Sequence, residues 1–206
     1  MVSKLLNPLL LFGFVFLVTS SSLLYAQNIL EFPISGLLSD RVVYLKGDID
    51  DSNVDYVITK LKTLDKVSNA DIKLIINSGG GSVYSGVLLY DVIKSLDSDV
   101  STICEGICMS MAASILSAGE PGKRFATTHS TIMIHEVSSR MEGTLSQMQT
   151  DIAETIRLQK LLVKMLSEGT GKTSEEIEAL MKSDYFMTAD QAKELKFIDD
   201  IIIKSE

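Results

Sequence analysis

Between residues 41 and 117, short apolar runs alternate with stretches of helical spacing, and glycine stands at the joints between them. Arg41 to Lys46 reads as a strand, and Ser52 to Leu64 sets Val54, Val57, Ile58, Leu61 and Leu64 at helical intervals. Ile72 to Ile76 is a second strand, apolar on both faces, and the turn from Asn77 to Gly81 leads into a helix from about Val83 to Leu96. Val100 to Cys104 is the third strand and Met109 to Ser117 the third helix. Strands alternating with helices through short joints restrict the chain to an α/β layered domain with a largely parallel sheet. A length of 206 residues suits one such domain.

Beyond Gly119, the turn Glu-Pro-Gly-Lys-Arg leads to Phe125–Thr128 and then to a strand from Thr131 to His135. Gly143 to Glu168 is a long helical stretch whose stripe includes Leu145, Met148, Ile152, Ile156, Leu161, Leu162 and Met165. At 1.5 Å per residue it is about 39 Å long, more than one small sheet needs. Part of it is expected to project and to associate with a second copy; the other reading lays it wholly across its own domain. Short helices from Ser174 to Met181 and Ala189 to Leu195, and a strand from Phe197 to Ile203, complete the chain.

Residues 1–26 have the layout of a secretory leader. Lys4 gives a positive n-region, Leu9 to Val18 is apolar, and Leu-Tyr-Ala precedes Gln27. Cleavage after Ala26 is expected; because Leu24 is large for that site, an uncleaved membrane anchor stays open. The expected location is the periplasm or the exterior, with a cytoplasmic protein as the reading if the leader does not act. A formal net charge of −8 argues against nucleic acid as the main partner. Two Cys and two His without paired spacing make a poor metal site, and no cofactor is expected. Cys104 and Cys108 straddle a strand-to-turn junction, so buried free thiols are expected rather than a bridge.

Chemistry concentrates at three places. Ser110 stands where a strand hands over to a helix, and an oxyanion forming beside it would meet unpaired first-turn amides; a serine there is equally an N-cap. Gly79, Gly80 and Gly81, at a strand's C-terminal end, let backbone amides approach a carbonyl or phosphate, or form only a tight turn. A phosphate-binding loop would need a following Lys-Ser or Lys-Thr, and a dinucleotide fingerprint needs Gly-x-Gly-x-x-Gly; neither is present. His135 ends another strand, on the sheet edge where ligands collect. His129 reads as structural or solvent-facing. Asp184 is either an idle loop carboxylate or the group that orients a histidine.

From about Phe32 to Ile203 the chain resembles the ClpP family, the proteolytic subunit of the Clp protease. The resemblance rests on Ile-Asn-Ser-Gly-Gly-Gly-Ser-Val (76–83), Asp-Val-Ser-Thr-Ile-Cys (99–104), Gly-x-x-x-Ser-Met-Ala (106–112), Gly-Lys-Arg-Phe (122–125), Ile-Met-Ile-His (132–135) and Asp-x-Phe-Met-Thr-Ala-Asp-Gln-Ala (184–192), in family order and spacing. It implies a ClpP/crotonase-like fold of repeated ββα units, with the region of about 136–168 as a projecting handle helix on a single domain spanning 27–206. It also implies a serine endopeptidase with Ser110 as nucleophile, His135 as base and Asp184 as its orienting partner. Gly80 and Met111 would supply the oxyanion hole, and Gly79, Gly81, Ser82 and Val83 would border an extended peptide or unfolded-protein substrate. The resemblance further implies a homo-oligomer of heptameric rings and an AAA+ unfoldase partner.

The departures weigh on partners more than on chemistry. Gly79 stands where the family usually has proline, Glu136-Val137 follows the histidine in place of Gln-Pro, and Lys182-Ser183 replaces an acidic-Arg pair that links rings. Little chain separates Ala26 from Phe32 for gating loops, so the unfoldase is the partner least expected. Two other readings stay open: a membrane-associated peptidase of signal peptide peptidase type with a Ser-Lys dyad, and a noncatalytic assembly subunit.

Overall fold

The computed structural model describes residues 40–202. The leader expected over residues 1–26 and the last residue of the expected final strand lie outside the described residues. Strand β1 (Val42–Lys46) is followed by helix α1 (Asp51–Val67), which starts where the Asp50 carboxylate accepts the Asn53 N–H at 2.9 Å. Helix α1 buries Val54, Val57, Leu61 and Leu64, four of the five residues whose spacing predicted it.

Strand β2 (Ile72–Ser78) and helix α2 (Val83–Ser95) come next, with Ser82 capping α2 by accepting the Ser85 N–H. β2 departs from the expectation of two apolar faces. Ile72, Leu74 and Ile76 are buried, whereas Lys73 and Asn77 are exposed and Ile75 is half-buried. One face of the strand packs against the core and the other borders solvent.

Strand β3 (Val100–Met109) runs five residues past the expected end at Cys104 and stops just before helix α3 (Met111–Ser117). Strands β4 (Arg124–Thr127) and β5 (Thr131–Ile134), helix α4 (Leu145–Thr170), helix α5 (Ser174–Met181), strand β6 (Tyr185–Thr188), helix α6 (Ala189–Glu194) and strand β7 (Asp200–Ile202) follow. The final strand is shorter than Phe197–Ile203, because Phe197 is fully buried in the core and Lys196 turns the chain with φ 65°.

The sheet has the order β1-β2-β3-β4-β7 with parallel pairing, and β5 joins it through β3 with β6 antiparallel at its far side. The α/β architecture with a largely parallel sheet is therefore the one the alternation implied. β3 is its node: Thr102 to Cys104 pair with β4, and Ile107 to Met109 pair with β5. Between those halves the register against β2 slips, with Ile76 opposite Cys104 and Ser78 opposite Cys108. Three residues, Glu105 to Ile107, thus bulge over Asn77 alone, and Gly106 supplies the left-handed φ of 96° that the bulge requires.

That bulge overturns the expectation of free thiols. Cys104 and Cys108 are disulfide-bonded, with Cα atoms 6.0 Å apart. Four residues of straight strand would hold them about 13 Å apart, beyond bridging range. Folding the intervening residues outward brings the two side chains together inside the core.

Helix α4 starts with a capping box in which Thr144 and Gln147 satisfy each other's amides and ends at Gly171 in the left-handed conformation. Its buried residues, Leu158, Leu162, Val163, Met165, Leu166 and Thr170, all lie in the C-terminal half. Leu145, Ile152 and Ile156, in the first half, are exposed. At the helix's end Arg124 of β4 ties α4 to the turn before β7: its guanidinium binds Asp199 at 2.5 Å and also donates to the Gly169 carbonyl. Among the described residues no helix is long and apolar enough to cross a membrane.

Candidate active site

The convergence of Ser110, His135 and Asp184 follows from strand register. Met109 lies beside Met133 in the parallel β3–β5 pair, and the Ser110 N–H donates to the Met133 carbonyl at 2.8 Å, so Ser110 leaves the sheet beside the end of β5. In the antiparallel β5–β6 pair Ile134 faces Tyr185, which sets the next residues, His135 and Asp184, across from each other. Ser110 Oγ and His135 Nε2 are 2.8 Å apart, and His135 Nδ1 is 3.3 Å from Asp184 Oδ1. The histidine side chain is 26% exposed and the aspartate 63%. His129 is exposed and borders Thr127, Thr128 and Ile202; it does not line the cavity at Ser110 and His135.

Ser110 has φ 54° and ψ −124°, a conformation that side chains other than glycine rarely adopt, and its side chain makes no cap hydrogen bond to α3. The plain capping reading therefore does not describe it. The hydroxyl is turned to the histidine, and the strained turn is of the kind found at functional sites.

The glycine turn comes against this serine from β2. A Cβ built on Gly80 would sit 2.7 Å from Ser110 Cβ, 2.8 Å from the Met109 carbonyl oxygen and 3.2 Å from the Met111 nitrogen, so only glycine fits. Gly80 has φ 100°; its N–H donates to the buried Ser78 hydroxyl at 3.1 Å and its carbonyl accepts the Ile49 N–H at 2.9 Å. Gly81 bridges to Ile49, and the Ser82 N–H donates to the Ile49 carbonyl at 2.7 Å, which commits Ser82 to the fold through both its amide and its capping hydroxyl. Gly79 is exposed with open space around it. Tyr84, one residue into α2, donates its hydroxyl to Glu154 of α4 at 2.8 Å. Arg157 and Tyr84 together hold the Glu154 carboxyl down to about 2.

Beside Ser110 and His135 lies a cavity of about 50 Å³. Gly81, Val83, Ile134, Leu162, Leu166 and Met181 line it, with Glu136, Val137 and Ser138 completing the lining beyond the histidine. Ser114, one turn along α3 from Ser110, lines it too. The i to i+4 spacing from Ser110 on one helix face was the signal in the sequence that could have found Ser114. No lysine lines the cavity among the described residues.

A comparison with known families gives an independent finding: the family model described as Clp protease matches residues 27–205.

Proposed function

The chain belongs to the Clp protease family, whose members are serine peptidases that act on peptides and are generally oligomeric, and from that membership we propose that it hydrolyses peptide bonds through a Ser110-His135-Asp184 triad. The observation that carries this reading is the 2.8 Å approach of Ser110 Oγ to His135 Nε2, with Asp184 at 3.3 Å from the other ring nitrogen. A serine hydroxyl is a weak nucleophile until a base takes its proton. In the proposed sequence the Ser110 O–H donates to Nε2, the freed Oγ attacks the scissile carbonyl, and the imidazolium passes its proton to the leaving amine. Water then attacks the acyl-enzyme by the same base. Asp184 holds the Nδ1–H tautomer and offsets the imidazolium charge.

The Met111 N–H, at the first position of α3, and the Gly80 N–H are the proposed oxyanion donors. The Gly80 amide would exchange its bond to Ser78 Oγ for the stronger charge-assisted bond to the oxyanion. The exposed first half of α4, with Leu145, Ile152 and Ile156, is the proposed contact between copies in a chamber. Among the described residues no lysine lines the cavity, which favours the triad over a Ser-Lys dyad.

Labelling with a fluorophosphonate probe tests the reading. Labelling that disappears in Ser110→Ala and in His135→Ala is expected. Labelling that survives His135→Ala refutes the triad, and no labelling of the assembled protein refutes the hydrolase.

Export is proposed as well. The Cys104–Cys108 disulfide supports it, because disulfides persist in oxidising compartments. Mass determination of the mature N-terminus is expected to give Gln27 first in an exported fraction; an intact Met1 in the cytosol overturns it.

A further inference from the structure

Resting on the reading of Ser110 as nucleophile, we infer that Ser114 is a specificity-determining residue, selecting a substrate whose residue before the scissile bond carries an uncharged hydrogen-bonding tip on an apolar stem, glutamine above all. The cavity beside a serine nucleophile receives the side chain of that residue. Val83, Ile134, Val137, Leu162, Leu166 and Met181 form the apolar part of the cavity's lining, against which an apolar stem packs, and a charged tip enclosed there loses hydration; Glu136, on the polar part, further disfavours a carboxylate.

Ser114 belongs to the polar part of that lining, on the α3 side beyond Ser110. Its side chain is 2% exposed yet lines the cavity, and its hydroxyl makes no hydrogen bond within the described residues. Ser117 on the same helix is different: its hydroxyl donates back to the Ser114 carbonyl at 2.7 Å and is satisfied within α3. A side chain that fills the cavity with methyl or thioether groups displaces water from the Ser114 hydroxyl and leaves it unpaired. One that brings an amide to it restores the bond.

Reach selects among the amides and hydroxyls. Ser114 lies one helical turn, about 5.4 Å, from Ser110 along α3. Serine and threonine side chains are too short to span that distance from a backbone held at Ser110 Oγ. Glutamine and methionine have matched length, so they isolate the hydrogen bond from the filling of space.

The test uses two fluorogenic peptides identical except for Gln or Met before the scissile bond, cleaved by the full assembled protein, by Ser114→Ala and by Ser114→Thr. The ratio of kcat/KM for Gln over Met cancels any general loss of activity in a variant. Wild type is expected to prefer Gln about tenfold, Ser114→Ala to lose that preference with the change in KM and kcat/KM rather than in general turnover, and Ser114→Thr, which keeps the hydroxyl, to retain it. A ratio unchanged in Ser114→Ala, or a wild type that cuts both peptides equally, overturns the role of Ser114 while Ser110-dependent cleavage leaves the triad standing. Cleavage that survives Ser110→Ala, or no cleavage together with no fluorophosphonate labelling, overturns the triad and this inference with it.

Discussion

Replacing Asp184 with asparagine removes a charge while keeping the side chain's shape, and the structure sets how much that charge is worth. The carboxylate oxygen is 3.3 Å from His135 Nδ1. At that separation a unit charge pair is worth about 1.3 kcal/mol in a fully aqueous medium and about 5 kcal/mol at an effective dielectric constant of 20. Asp184 is 63% exposed, so solvent screening places it toward the aqueous limit. About 2 kcal/mol, or a roughly 30-fold loss in kcat, is the expected cost for Asp184→Asn. A triad with a buried aspartate loses about 10⁴ on the same change. In the proposed triad the charge is needed once the imidazolium forms, so KM should stay put. The assay is steady-state hydrolysis of a fluorogenic peptide by wild type, Asp184→Asn, His135→Ala and Ser110→Ala at one protein concentration and one oligomeric state. A loss of 10⁴, or one carried in KM, refutes the argument from exposure.

Gly80→Ala should lower hydrolysis by at least about 100-fold, because the new methyl meets Ser110 Cβ and the Met109 carbonyl and displaces the proposed oxyanion donor, a kind of donor worth about 2.7 to 4 kcal/mol; peptide turnover alongside circular dichroism checks it. Removing the Cys104–Cys108 bridge by Cys104→Ser with Cys108→Ala should destabilise the fold by about 2 kcal/mol, the chain-entropy value for so short a loop, lowering the unfolding midpoint by about 4 to 8 °C in calorimetry at fixed protein concentration. Burial pushes the Asp199 carboxyl up, but the hydrogen bonds from Arg124 outweigh it and leave it below the usual carboxylate range. The Arg124 pair therefore stabilises the fold above the unfolded-state value near 3.9 and is lost as pH falls through the lower folded value. Denaturant titrations from pH 6 to pH 2 should show that acid loss in wild type, and Asp199→Asn should be weaker at pH 6 by about 3 kcal/mol with a flatter acid limb.

The positions of Ser110 and His135 were legible in the chain because both stand at the ends of apolar runs, and parallel strands bring such ends to one edge. Asp184 was legible only by its spacing in a motif, since it precedes a strand that pairs antiparallel and no periodicity reveals that partner. The extent of β3 was misread for a related reason. Gly106 looks like the end of a strand, and only pairing to β5, a strand 24 residues later in sequence, shows that the chain resumes its course after a bulge. The free-thiol expectation failed with it, because bridging distance across four residues depends on whether the backbone between them is straight. Ser114 was hidden by composition: in Met-Ala-Ala-Ser-Ile-Leu-Ser every residue is buried, and which one borders a cavity depends on what α4 and α5 place opposite.

These misreadings meet at one point in the structure. β3 must leave β4 after Cys104 and reach β5 by Ile107, and the number of residues spent in the bulge decides which face of the sheet each later side chain takes. With Glu105 to Ile107 set against Asn77, Ser110 arrives with its amide on the Met133 carbonyl and its hydroxyl on His135. One residue more or fewer would carry Ser110 to the opposite face, away from the histidine that β5 delivers. The Cys104–Cys108 bond closes across that count, and the Gly106 conformation permits it. The bridge therefore constrains the serine's register against His135 as well as the stability of the domain.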